Sequence, residues 1–125
     1  MTKNTDTPHE LLEKLFHEPN RLAILSALCA ADKGMTFNEL RDGCNLTDGN
    51  LNRHLAVLRD ADVVRIDKTF VDDKPRTTVS ITRKGLDRFQ EYLAALQTVL
   101  QAAQKAIPVE KKAMVPSGVL RAVTR

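Results

Sequence analysis

L-T-D-G-N-L-N-R-H-L-A-V-L-R-D-A-D-V-V, Leu46 to Val64, contains a helix with one apolar stripe and one polar face. Thr47 and Asp48 are helix-start residues, because their side-chain oxygens accept hydrogen bonds from the first free backbone N–H groups. Leu51, Leu55 and Leu58 recur at i, i+4 and i+7, a single stripe at the helical period. At about 100° per residue the opposite face carries Gly49, Asn52, Arg53 and Ala56. That face holds two long hydrogen-bonding side chains and no carboxylate before Asp60, so it suits a polyanionic surface.

The residues on either side complete a larger unit. Thr36 and Glu39, in T-F-N-E, form a capping box that starts a short helix reaching about Gly43. Gly43 suits a left-handed helix end, and Cys44-Asn45-Leu46 makes a tight turn. Two short helices joined in this way read as a helix-turn-helix, whose second helix is the one able to enter a DNA major groove. The same pattern also fits any two packed helices. Downstream, Val63–Lys68 alternates like a half-buried strand, Val71–Pro75 is a polar loop, and Arg76–Ile81 is a β-branched second strand. A helix-turn-helix followed by a basic-tipped hairpin is a winged helix.

Four segments occur in sequence: P-N-R-L-A-I-L-S-A-L, T-F-N-E-L, T-D-G-N-L-N-R-H-L-A-V-L and K-P-R-T-T-V-S-I-T-R-K-G-L. Their joint order resembles the MarR/ArsR-like winged helix-turn-helix transcriptional regulators over about Pro19 to Leu100. The resemblance implies a sequence-specific regulator of double-stranded DNA, a dimer that places two copies of helix 47–61 in successive major grooves roughly 34 Å apart. The operator would be an inverted repeat, and repression by blocking promoter access is the expected mode. A protein-interaction adaptor is the alternative reading. A ligand- or redox-responsive sensor is a third, with a small-molecule effector that the sequence does not name.

A chain of 125 residues is sized for one domain. The net charge of +3 and pI near 9.0 permit nucleic-acid binding without demanding it. No apolar run approaches a membrane span, and M-T-K-N-T-D-T lacks the apolar core of a signal peptide, so a cytoplasmic location is expected. Cys29 and Cys44 fit a reducing compartment and read as small buried hydrophobes, with a redox switch as the alternative.

The expected fold is mainly α with a small β-hairpin. A winged helix-turn-helix domain over residues 1–81 (1–6 disordered) precedes a dimerisation helix at 82–107 and a basic tail at 108–125. Thr7-Pro8-His9-Glu10 caps a first helix whose inner face is Leu11, Leu12, Leu15 and Phe16, ending near His17. Pro19 starts an apolar second helix with Leu22, Ile24, Leu25, Leu28 and Cys29, ended by Gly34. Thr82 caps the longest helix, where Gly85 in the first turn costs a little. Along it Leu86, Phe89, Leu93, Leu96, Leu100, Ala103 and Ile107 alternate by three and four, a heptad seam that predicts a homodimer. The other reading is a helix folded back on its own domain.

For base reading, Arg53 pairs well with guanine and Asn52 with adenine, with Asn50 beside them. Thr47 and the helix N-terminus suit a phosphate. In the wing, Lys68, Lys74 and Arg76 are the cations facing phosphate or minor groove, while Asp72 and Asp73 oppose them. Arg83 and Lys84 are further phosphate candidates. His54, at the stripe's edge, reads as a structural boundary residue. No Cys-x-Cys or spaced histidine set is present, so neither metal nor cofactor is expected. Nor is there a phosphate loop or nucleophile motif, which argues against an enzyme.

Overall fold

The computed structural model describes residues 13–108. Its elements run α1 (Pro19–Ala30), β1 (Met35–Thr36), α2 (Phe37–Gly43), α3 (Asp48–Asp60), β2 (Val64–Val71), β3 (Lys74–Ile81) and α4 (Arg83–Ala106). The strands form one antiparallel sheet ordered β1-β3-β2, giving the expected winged-helix architecture with its long C-terminal helix. The disorder expected at 1–6, the Thr7 capping box with Leu11 and Leu12, and the tail Val109–Arg125 lie outside the described residues. Ahead of α1, the Phe16 and His17 N–H groups both bond the Glu13 carbonyl, at 3.1 and 2.9 Å, a single turn that carries Phe16 into the core.

Pro19 takes the first position of α1, but the cap is Glu18, whose carboxylate accepts from the Arg21 N–H at 2.8 Å. The helix ends at Ala30, not at Gly34. Gly34 instead holds a left-handed turn (φ 88) against β3, where an added Cβ would stand 2.6 Å from the Val79 carbonyl oxygen. The buried stripe is Ile24, Leu25 and Leu28. Cys29 is exposed, contrary to its reading as a core residue, because it stands about 100° beyond Leu28. Cys44 is half-buried and packs at the core's edge.

The capping box of α2 is complete: Thr36 N–H donates to Glu39 Oε1 at 2.9 Å, and Glu39 N–H to Thr36 Oγ1 at 3.1 Å. The left-handed residue after α2 is Asn45 (φ 56), not Gly43, which keeps helical geometry. Asparagine tolerates that conformation better than most non-glycine residues. Thr47 caps α3 as expected, accepting from the Asn50 N–H at 3.1 Å. Leu51, Leu55 and Leu58 are buried, as their stripe required.

The hairpin departs most from expectation. Its register pairs Val71 with Lys74, so the loop is two residues, Asp72-Asp73, and both strands are eight residues long. Both aspartates are left-handed (φ 53 and 64), the geometry of a type I′ turn. The aspartates are therefore turn formers, and their charge comes with that role. Pro75 had read as loop. In such a hairpin the closing pair carries the hydrogen bonds and the next pair, Phe70 and Pro75, does not, so proline's missing N–H falls on the outer side.

Thr82 caps α4 and also anchors it. Its hydroxyl accepts from the Gly85 N–H at 2.9 Å and donates to the Asp62 carbonyl at 2.6 Å, while its own N–H bonds Val63 O at 2.9 Å. Gly85 is more than tolerated here, since a Cβ would lie 2.2 Å from the Val63 carbonyl oxygen. α4 buries Phe89, Tyr92 and Ala95 against its own domain. Phe16, Phe89 and Tyr92 form an aromatic cluster with centroids 5.7 to 6.1 Å apart. Of the expected seam, Phe89 thus belongs to the domain core, and Leu86 and Leu96 are half-buried. Ala103 is exposed, as are Leu93 (40%), Leu100 (52%) and Ile107 (41%).

Candidate nucleic-acid interface

α3 is held rigidly so that its outer face is free. Arg41 of α2 bonds Asp42 at 2.9 Å and Asp48, the first residue of α3, at 2.8 Å. The Leu46 N–H bonds the Arg41 carbonyl at 2.9 Å, so one residue fastens both ends of the turn. Asn50, Asn52 and Arg53 are all exposed on α3. Arg53 Nη2 donates to Asn50 Oδ1 at 3.1 Å, which pre-orients the guanidinium along the helix surface. Thr47 is exposed, though its hydroxyl is engaged as the cap.

Between α3 and the wing lies a groove of about 310 Å³. Asn52, Ala56 and Arg59 line it from the helix, and Ile66, Lys68 and Thr77 from the sheet. Arg59 is a candidate that sequence reasoning missed, placed here by its position on the groove. Its spacing from Asn52, i+7, was the signal, and the neighbouring Asp60 obscured it. Lys68, Lys74 and Arg76 are exposed and make no ion pair among the described residues. Arg83 and Lys84 stand elsewhere, at the far end of α3 from Thr47. Arg83 reaches Asp87 at 3.3 Å and Lys84 reaches Asp62 at 3.8 Å. Such exposed pairs are weak and yield readily to a phosphate.

His54 is buried within α3 and tied to α1, not left at a boundary. Arg21 Nη1 lies 3.3 Å from His54 Nδ1. Arginine only donates, so Nδ1 accepts and Nε2 carries the hydrogen, with no hydrogen-bond partner among the described residues. Burial pushes the His54 pKa down, helped by Arg21 and Arg53 and opposed by Glu18. The unfolded chain, near the ordinary value of about 6.5, therefore takes up a proton before the folded one does. The resulting stability is complete above that value and is lost as pH falls toward the folded-state pKa. Melting midpoints followed between about pH 8 and about pH 5 should fall more steeply for the native chain than for His54→Gln. Parallel curves would remove His54 from the account.

Among the described residues no three His, Cys, Asp or Glu side chains converge as metal ligands. No helix there is long and apolar enough to cross a membrane.

Residues 20–100 match the protein-family model described as winged helix DNA-binding domain. An uncharacterized protein of Methanocaldococcus jannaschii is 35% identical over 80 residues, 64% of this chain and 86% of that one. The structure of a transcriptional regulator homologue from Pyrococcus horikoshii OT3 superposes with a TM-score of 0.70 at 29% identity, covering 76% of this chain and 94% of that one. The M. tuberculosis transcriptional regulator MOSR, solved in complex with DNA, superposes at 0.63 and 17% identity over 94% of this chain and 79% of that one, a likeness of fold.

Proposed function

The chain belongs to the winged helix DNA-binding domain family, and we propose that it is a homodimeric transcriptional regulator that binds double-stranded DNA in the cytoplasm. α3 enters the major groove, with Arg53, Asn52 and Asn50 at base edges and Arg59 beside them. Lys68, Lys74 and Arg76 of the wing lie on flanking phosphates, and Arg83 and Lys84 contact the backbone further out. Two copies read an inverted repeat, and occupancy of a promoter represses it.

The observation that carries this reading is the exposed Asn50/Asn52/Arg53 face of α3, with Lys68, which has no ion pair among the described residues, across the groove that Asn52 lines. Dimerisation is supported by Leu93 and Leu100, which are exposed and seven residues apart on α4, the repeat of a paired-helix seam, with exposed Ile107 at the helix's C-cap just beyond them. Ala103 and the outer edges of Leu86 and Leu96 flank them. Phe89 serves the dimer only by seating α4 on its domain. The effector, if the dimer takes one, has no polar anchor in these residues.

Fluorescence anisotropy on a mixed duplex pool at several salt concentrations tests the reading. Binding should weaken linearly in log–log form as salt rises, the signature of neutralised phosphates. Arg53→Ala should lose sequence preference by about 1–3 kcal/mol while keeping most of the salt slope. No binding at low salt would end the regulator reading and favour a protein adaptor.

A further inference from the structure

We propose that Phe70 of the wing is a minor-groove wedge, a side chain that enters the flanking DNA and opens a base step. The proposal rests on the DNA-binding reading above. Phe70 is 76% exposed, far more than any other large hydrophobic among the described residues. The exposed apolar residues of α4 share a heptad line, which the proposed dimer would cover with a second copy. Phe70 belongs to a different element and has no such line.

Strand geometry shows which way Phe70 points and why none of the described residues covers it. Side chains two apart on a strand share a face, and directly paired residues share it too. Ile66, Lys68 and Phe70 therefore lie on one face, with Val79, Thr77 and Pro75 opposite them. Val79 is buried in the core, and Ile66, Lys68 and Thr77 line the groove shared with Asn52 and Arg59. The Phe70 face is thus the face turned toward α3. Phe70 stands four residues past Ile66, roughly 13 Å along the strand, beyond the body of the domain.

The surroundings fit DNA and not a lipid or an apolar protein surface. Lys68 precedes Phe70 on the same face, while Lys74 and Arg76, paired with Val71 and Thr69, rise from the opposite face of the same narrow ribbon, all three without an acidic partner among the described residues. An aromatic ring beside Lys68 at the tip of a ribbon edged by two further cations matches a groove whose walls are phosphate and whose floor is apolar base edge. Aromatic and aliphatic wedges used in this way partly unstack one step and bend the duplex. Asp72 and Asp73 sit beyond Phe70, so the ribbon lies along the groove on its Lys68–Phe70 face and the turn carboxylates stay over solvent. Flexible pyrimidine–purine steps are the cheapest to open, so the wedge selects for such a step outside the bases read by α3.

The test uses the full chain with Phe70→Ala and Phe70→Leu, on a duplex labelled for end-to-end energy transfer and carrying 2-aminopurine at a flanking step. Wild type should bend the duplex and brighten the 2-aminopurine. Phe70→Ala should keep the melting midpoint and salt slope, lose both signals, and bind about tenfold more weakly. Phe70→Leu should retain part of each. Unchanged bending and brightening in Phe70→Ala would overturn the wedge, as would loss of self-association in that variant by sedimentation, which makes Phe70 a contact between copies. Failure of wild type to bind any duplex is a separate result that overturns the regulator reading and the wedge with it.

Discussion

Gly85→Ala should destabilise the domain by about 3–5 kcal/mol, near the upper end for one substitution. The added methyl would stand 2.2 Å from the Val63 carbonyl oxygen and 2.8 Å from Val63 Cα. Neither obstacle is a side chain that can rotate away. Val63 is buried, and its carbonyl accepts from the Thr82 N–H at 2.9 Å, so relief means lifting the start of α4 off the sheet. That lift would strain the Thr82 cap and the seats of Phe89 and Tyr92 together. Gly49→Ala is the matched control: it is also helical, with nothing within 4 Å of its added Cβ. It should be neutral or stabilising by up to about 1 kcal/mol on propensity alone. Urea unfolding of the two variants side by side checks the pair. A Gly85→Ala midpoint within error of wild type would mean that α4 does not approach Val63, just ahead of β2, this closely.

Leu93→Glu with Leu100→Glu should convert the proposed dimer to monomer and weaken operator binding by about a hundredfold or more. Both residues are exposed in the isolated chain, so helix content and the core have little reason to change. Two like charges facing their own copies in a buried seam are, by contrast, unsustainable. The loss on DNA follows because a single domain forfeits the effective concentration that the first half-site confers on the second. Sedimentation equilibrium and anisotropy on a two-half-site duplex read the two effects. A double variant that still sediments as a dimer would move the interface off this face of α4.

The parts of this architecture written in the sequence are those whose physics is local. The capping box of Thr36 and Glu39, the Thr47 cap and the Leu51/Leu55/Leu58 stripe each involve residues within two helical turns, so spacing alone reveals them. The obligation on Gly85 was hidden because its cause, the Val63 carbonyl, lies 22 residues away in sequence and appears only when strand and helix meet. The wing's length was misread because Asp72, Asp73 and Pro75 all signal a loop. The sequence shows neither that two aspartates accept left-handed geometry nor that a proline falls on a pair needing no donor. In α4 the heptad positions and the core-facing positions overlap at Phe89, and periodicity cannot say which surface claims it. The candidate reading residues Asn50, Asn52 and Arg53 were legible as an outward face. Arg59 emerged only with the groove, and Phe70 only once the strands proved long enough to carry it past the body.

The sheet's uneven pairing has one further consequence. β1 covers β3 only at Thr78 and Val79, so the stretch from Lys74 to Thr77 presents an open ladder to solvent. Such ladders recruit strands from other molecules and start aggregates. Pro75 withholds a donor there, and Lys74 and Arg76 add charges that repel a second copy. The same side chains proposed to hold phosphate thus act as gatekeepers against fibril-like stacking. Swapping them for β-branched neutral residues would weaken DNA binding and, in the unbound protein, create a sticky ribbon.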